Sequence, residues 1–330
     1  MKIETRIERV TMKRPIVVSR GSYADHEIVV VEVIDSDGIR GVGECCPIAH
    51  YDQSGAKVVA ALNSISGDVG SLTRAGLLDI LPPGPARNGL DCALWDLEAK
   101  RESTSVWQLA GITPPASQPT AITLMMASPD DMAAQAVEAS IFGTLKLKLG
   151  RNMPAEAIIA VRRARPDALL AIDANEGWSL DELIALEPVM KSAGIFMVEQ
   201  PLKAGSDHDL KREAINLDVC ADESFHSSAD MADVSARYEF INIKLDKCGG
   251  LTEAIRILDR APDYGLKAMV GCMFGTPLAN APALVVASRC DFADLDGPLL
   301  IIEEREGGAL MCDGSYLPTT SSLWGGLHLA

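Results

Sequence analysis

Thr144-Leu145-Lys146-Leu147-Lys148-Leu149-Gly150 alternates lysine with leucine, the two-residue period of a β-strand. Both lysines fall on one face and the leucines on the other. Two like charges side by side on a strand are unfavourable unless something uses them: an opposing carboxylate, a bound anion or a lowered pKa on one amine. Taken alone, the heptad fits a solvated edge strand equally well. Downstream, single charged residues recur in one setting, each closing an apolar run of strand length. They are Asp173 after 168–172, Glu199 after 195–198, Asp222 after 217–221 and Lys244 after 240–243. From Lys148 onward the intervals are 25, 26, 23 and 22 residues. One strand–loop–helix–loop unit takes about this length, so each residue returns to the same rim.

Outward from this core, strands are expected at 120–125, 144–149, 168–172, 195–198, 217–221, 240–243, 267–271 and 291–293. Helices are expected at 128–140, 154–165 and 179–191, with helix-sized segments in the later intervals. Strand–helix alternation predicts parallel pairing. Eight units favour a closed barrel over an open doubly wound sheet, and no glycine-rich phosphate fingerprint follows the first strand. Upstream, residues 1 to about 45 read as antiparallel strands around the turn Asp35-Ser-Asp-Gly38, followed by helices at 53–67 and 86–102. That is a small α+β unit. The proline-rich run Gly111–Pro119 marks the boundary. The expected organisation is an α+β domain over 1–113, a barrel over 114–302, and a glycine-rich segment from about 303 to 330 that returns over the first domain.

The net charge of −16 over 330 residues argues against nucleic acid, because phosphate neutralisation needs clustered Lys and Arg. The first residues carry no apolar signal region, and no apolar run approaches the roughly 18 residues that span a bilayer. Eight scattered cysteines, with only Cys45 and Cys46 adjacent and no CxxC spacing, argue against zinc and for buried thiols in a reducing cytoplasm. A homo-oligomer is compatible with this composition.

Asp173, Glu199 and Asp222 converging on one rim would repel one another unless a cation sits between them. Oxygen-only ligands select a hard ion, Mg²⁺ first and Mn²⁺ second. Lys148 and Lys244 would approach that ion from opposite sides of the barrel. A nearby divalent cation and a second amine should lower a lysine pKa from about 10.4 towards about 7–8, which suits a general base. Two such amines facing one carbon remove a proton from one side and return one on the other, which is racemisation or epimerisation. A carboxylate after a strand is also an ordinary helix N-cap, which would account for Asp173 or Asp222 singly. It accounts poorly for Glu199, since Pro201 and Leu202 follow without a helix start.

The segments Lys146-Leu-Lys148, Asp173-Ala-Asn-Glu-Gly-Trp178, Val198-Glu-Gln-Pro201, Ala221-Asp-Glu-Ser224 and Asn242-Ile-Lys244 resemble the enolase superfamily, muconate-lactonizing subgroup, over nearly the whole chain. The resemblance implies a (β/α)7β modified TIM barrel with an N-terminal α+β capping domain. By position it makes Asp173, Glu199 and Asp222 ligands of Mg²⁺, Lys148 and Lys244 the acid/base pair, and Lys146 a neutraliser of the substrate carboxylate. Asp294-Leu-Asp296 at the eighth strand resembles the Asp-x-Asp signature of dipeptide epimerases, where two carboxylates hold the ammonium of the N-terminal residue. Read locally, Asp296-Gly297 is a turn. Arg20 resembles the loop arginine that meets a side-chain carboxylate in L-Ala-D/L-Glu epimerases, and Thr123 and Cys272 match substrate-contact positions. His50, Tyr51 and Asp52 fall in the other capping loop without assigned roles. Where many relatives carry an acid after the seventh strand, this chain has Gly271-Cys-Met-Phe-Gly275, which weakens the specificity reading. Lys247 reads as surface or as support behind the site.

The resemblance thus implies a Mg²⁺-dependent dipeptide epimerase of the cytoplasm that inverts the C-terminal residue, with L-Ala-L-Glu and L-Ala-D-Glu as the pair and cell-wall peptide recycling as the context. N-acylamino acid racemase, o-succinylbenzoate synthase and muconate cycloisomerase keep the same site, but their substrates lack a free amine and leave Asp294 and Asp296 without a task. A barrel that binds metal and ligand without catalysis would usually have lost a lysine or a carboxylate, and this chain keeps all five.

Overall fold

Valines and isoleucines at successive positions let the second strand bury both its faces, and the first domain is assembled on it. In the computed structural model, which describes residues 1–18, 21–65 and 72–326, β1 (Lys2–Val18) and β2 (Gly21–Ile34) pair antiparallel from Lys2↔Ile34 onward. β3 (Arg40–Cys45) lies on the other edge of β2. The turn between them is held by the Asp35 carboxylate, which accepts from the amides of Asp37 and Ile39, each at 2.9 Å. Val29, Val31 and Val33 face α1 (Gly55–Asn63), α2 (Arg74–Ile80) and α3 (Pro85–Arg101), meeting Leu77, Leu90, Leu94 and Leu97. The alternate residues Ile28 and Val30 face the rest of the protein. Contact between β3 and α3 is close enough to need glycine: a Cβ on Gly43 would lie 2.2 Å from the Gly89 carbonyl oxygen.

The second domain is an eight-stranded parallel sheet wound in chain order: β4 (Ile122–Leu124), β5 (Thr144–Lys148), β6 (Leu169–Asp173), β7 (Ile195–Glu199), β8 (Asp218–Ala221), β9 (Phe240–Ile243), β10 (Lys267–Gly271) and β11 (Phe292–Asp294). The Ala121 amide donates to the Ala293 carbonyl at 2.9 Å, joining the first and last strands into a nearly closed barrel. Helices cover it, among them α4 (Pro129–Glu138), α5 (Pro154–Ala164), α6 (Leu180–Ser192), α7 (Leu251–Arg260) and the almost wholly buried α8 (Pro277–Ala287).

The expected strands and the named helices appear within a few residues, and the expected fold class is the one observed. Two details differ. The connection from Glu199 to Asp218 contains no α-helix, only a 3₁₀ turn at Arg212–Ala214. Pro201, Gly205 and the run Ser206-Asp-His-Asp209 favour turns, and two are seen, with Ser206 N donating to Lys203 O at 2.9 Å and Leu210 N to Asp207 O at 3.1 Å. Helix α2, capped by the Thr73 hydroxyl, was also not foreseen.

Beyond the barrel the chain turns back. β12 (Leu310–Cys312) and β13 (Ser315–Leu317) form a hairpin, which pairs with Gln118–Pro119. Trp324 Nε1 donates to the Cys92 carbonyl at 3.0 Å. Arg305 joins the parts: its guanidinium reaches Glu8 at 2.7 Å, Glu44 at 3.1 Å and Thr276 Oγ1 at 2.7 Å. Glu44 is fully buried and also accepts from the Thr276 amide at 2.7 Å. All eight thiols are free, five of them buried.

Candidate active site

Inside the barrel, Ala171, Met197, Cys220, Phe240 and Met269 form an apolar plug. One two-residue step further along each strand, the inward positions turn polar: Asp173, Glu199, Asp222 and Asn242. Gly271 holds the matching place on β10, where a Cβ would stand 2.7 Å from Asn242 Oδ1 and 3.0 Å from Lys244 Cε. Lys146 and Lys148 project from β5 in register with Ala171 and Asp173. Asp294 ends β11. The strand period therefore stacks the polar layer on the plug, and the barrel gathers it at one end.

Every carboxylate of this layer meets an amine or amide. Lys148 Nζ lies 2.6 Å from Asp173 Oδ2 and 2.8 Å from Asn175 Oδ1. Lys244 Nζ lies 2.7 Å from Asp222 Oδ2, and Lys247 Nζ is 2.6 Å from Asp222 Oδ1. Glu199 accepts from Asn242 Nδ2 at 2.7 Å and from Lys146 Nζ at 3.3 Å. Lys146 is only 3% exposed; it also pairs with Asp294 and lies 3.5 Å from Asp173.

Burial opposes charge throughout this cluster, and the local partners decide the outcome. Burial and the neighbouring Asp173 and Asp222 push the Glu199 carboxyl up to about 7. Burial also works against Asp222, yet Lys244 and Lys247 outweigh it and hold this carboxyl well below the usual range. For Lys244, burial would lower the amine, but Asp222 and Glu199 hold it above the ordinary lysine range. The downward shift expected for a base at that position is thus reversed, because the two carboxylates outweigh burial. Lys146 is raised likewise, burial being overcome by Asp294, Glu199 and Asp173.

Asp173, Glu199 and Asp222 come together at the C-terminal ends of β6, β7 and β8, on the rim where they were expected. With an amine on each of them, no group of three or more His, Cys, Asp or Glu side chains among the described residues is spaced to hold an ion. The donor set nevertheless fits a hard cation: three buried carboxylates, oxygen only, with Glu199 crowded by the other two. Asp294 and Asp296 are both buried. Asp294 Oδ2 is taken by Lys146, whereas Oδ1 has no hydrogen-bond partner among the described residues. Asp296 accepts from the Thr123 amide at 2.7 Å, and burial next to Asp294 pushes its carboxyl up to about 6. Asp296 does precede a one-turn helix, Gly297–Leu300, but its side chain does not cap it. Cys272 Sγ accepts from the Gly297 amide at 3.3 Å. Lys247 is buried behind Asp222 and not at the surface. Arg20 lies outside the described residues.

Several of these groups line a cavity of about 380 Å³ between the barrel mouth and the first domain. Its floor carries Lys146, Lys148, Asp222, Lys244, Asp294 and Asp296. The first domain supplies the roof, including His26, His50, Tyr51 and Gln53. The sequence reading missed Asn242, two residues before Lys244 and on its face, which period-two counting would have found. It also missed Asn175 and Gln200. Gln200 Oε1 accepts from the amides of Asp222 and Ser224 at 2.9 and 3.0 Å, from a left-handed backbone at φ 33°. No local pattern announces that pairing.

Comparison with known proteins places these residues in context. Residues 2–111 match the family model of the mandelate racemase / muconate lactonizing enzyme N-terminal domain, and residues 130–299 match the enolase C-terminal domain-like model. The chain is 44% identical over 295 residues to L-Ala-D/L-Glu epimerase of Escherichia coli (strain K12), covering 88% of this chain and 92% of that protein. It is 36% identical over 303 residues to N-acetyl-D-glutamate racemase of a Pseudoalteromonas species, covering 91% and 96%. Among solved structures, it superimposes with a TM-score of 0.94 at 40% identity on an enolase family member from Agrobacterium tumefaciens with bound sodium and L-Ala-L-Glu, covering 98% of this chain and 99% of that one. A dipeptide epimerase from Enterococcus faecalis complexed with Mg and L-Leu-L-Tyr gives a TM-score of 0.89 at 25% identity, covering 99% and 98%.

Proposed function

Since the chain belongs to the enolase superfamily, with a mandelate racemase / muconate lactonizing enzyme N-terminal domain, and its named relatives are epimerases and racemases, it is an isomerase; we propose that it is a Mg²⁺-dependent dipeptide epimerase that inverts the C-terminal residue of L-Ala-L-Glu and L-Ala-D-Glu. Asp173, Glu199 and Asp222 would hold the ion. An ion held by them would supply positive charge that offsets the negative charge developing when the α-proton leaves. Lys148 and Lys244 stand on β5 and directly after β9, four strands apart in a nearly closed ring of eight, so they reach the cavity from opposite sides. One takes the α-proton and the other returns a proton to the opposite face, and the reverse reaction exchanges their roles. Lys146 neutralises the substrate carboxylate and steadies Asp294.

The observation that carries the dipeptide reading is the pair Asp294 and Asp296, buried on the cavity floor with Asp294 Oδ1 unpartnered among the described residues. A buried carboxylate oxygen without a donor suits an ammonium, and dipeptides bring one. N-acylated amino acids do not. Peptide recycling in the cytoplasm is the setting this substrate implies. Among the described residues no helix is long and apolar enough to cross a membrane.

The test is incubation with L-Ala-L-Glu and Mg²⁺ in D₂O, following the glutamate α-proton by NMR together with optical rotation. Exchange with a change of rotation is expected, lost on chelation and restored by Mg²⁺. Exchange with N-acetylglutamate and none with the dipeptide would overturn the assignment. Asp294→Asn should raise KM for the dipeptide by about 10–100-fold, the worth of one hydrogen bond to a charged group, while kcat changes only a few-fold. Equal damage to both constants would exclude the ammonium role.

A further inference from the structure

The cavity roof is fastened to the barrel by a cluster of rings. The roof loop 48–53 folds on itself: Gln53 N donates to Ile48 O at 3.2 Å, Ile48 N donates to Gln53 Oε1 at 3.0 Å, and Asp52 is left-handed at φ 56°. From this loop His50 and Tyr51 point outward as a pair, ring centroids 5.1 Å apart. Two barrel loops receive them. His226, after β8, meets the Tyr51 ring edge-on, with centroids 5.1 Å apart and planes at 75°. Glu176, after β6, brings Oε2 to 3.6 Å from His50 Nε2.

Both receiving side chains are themselves held. The His226 amide donates to Asp230 Oδ2 at 2.9 Å, and its Nε2 lies 3.2 Å from the Glu223 carbonyl oxygen. Glu176 has a left-handed backbone, φ 64°, uncommon for a residue with a Cβ. Its amide donates to Gln200 O at 2.8 Å, and its Oε1 accepts from the Ala204 amide at 2.9 Å. Strained backbone that is over-determined by its surroundings is a mark of a functional loop.

We propose that His226 is a positioning residue: by clamping Tyr51 against the barrel it fixes the roof over Lys244 and the end of the substrate that is inverted. The clamp itself stands on geometry alone, while its effect on a dipeptide rests on the function proposed above. Tyr51 lines the cavity together with Lys244 and is near enough to act electrostatically on its amine. The Tyr51–His226 ring contact and the His50–Glu176 contact together hold the closed roof by roughly a factor of ten in population.

The experiment is amide hydrogen exchange of residues 46–58 by mass spectrometry, paired with steady-state kinetics on L-Ala-L-Glu. His226→Ala should speed exchange of this segment about tenfold, and His50→Ala, on the roof side, should do the same. His226→Phe keeps an edge-on ring and should restore slow exchange. With the dipeptide, His226→Ala should raise KM about tenfold and kcat by less than threefold in either direction, again rescued by phenylalanine. Unchanged exchange in both alanine variants would overturn the clamp whatever the substrate is. Faster exchange with an unchanged KM would overturn the positioning role. Should the wild-type protein turn over no dipeptide, the function reading fails while the exchange result still decides the clamp.

Discussion

Replacing Lys148 with alanine should lower the rate of epimerisation by about 10²–10⁴-fold, the usual contribution of a positioned proton-transfer group. The more telling result lies in isotope exchange. Lys148 is oriented by Asp173 at 2.6 Å and Asn175 at 2.8 Å, and Lys244 by Asp222 at 2.7 Å, two separately supported amines. If each serves one face of the α-carbon, Lys148→Ala leaves Lys244 able to exchange the α-proton of one diastereomer with deuterium. The other diastereomer loses exchange, and neither is inverted. NMR in D₂O started from each pure diastereomer reads this directly. Equal loss from both would place the two lysines on one face and remove the two-base scheme. Melting curves with and without Mg²⁺ should show that the variant still responds to the metal, because Lys148 is not a ligand.

Asp222→Ala should be the most destabilising change at the site. Its two oxygens pair with Lys244 and Lys247, whose side chains are 11% and 2% exposed. Removing the carboxylate leaves two buried ammonium groups facing each other without a counter-charge. Breaking a buried pair from one side costs about 3–5 kcal/mol. For a chain of this size that is a drop of about 10 °C in Tm, measured in chelator so that metal loss does not contribute. Asp233→Ala is the control: it also removes a carboxylate from a cation, Arg237, but Asp233 is 68% exposed, and an exposed pair contributes less than about 1 kcal/mol. Equal destabilisation by the two variants would show that Asp222 is not the counter-charge of the buried lysines.

The barrel was legible in the sequence because its strands are short, regular and spaced by a nearly constant unit. Asp173, Glu199, Asp222 and Lys244 were found because each ends an apolar run, and a strand's period then fixes the direction of its side chain. The supporting polar layer was hidden where no period operates. Asn175, Glu176 and Gln200 sit on loops with left-handed backbones, and most of their side-chain partners lie far away in the chain, 22 residues off for Gln200 with Asp222 and 48 for Asn175 with Glu223. Lys247 was left between surface and support behind the site for a related reason: it lies on a one-turn helix, Leu245–Cys248, too short to display a buried face in its spacing. The segment from Glu199 to Asp218 had the length of a helical crossover, but its turn-forming residues prevailed over length.

Arg305 meets Glu8 and Glu44 across 297 and 261 residues of chain. At a synthesis rate of about 5–20 residues per second, roughly 15–60 s separate the emergence of Glu8 from that of its partner. During that interval Glu44 waits for Thr276 and then for Arg305. A nascent chain halted before residue 305 carries a carboxylate destined for burial with no guanidinium to meet it. The domain that leaves the ribosome first is therefore the one completed last, and its closure over the barrel reports that the barrel has already been made.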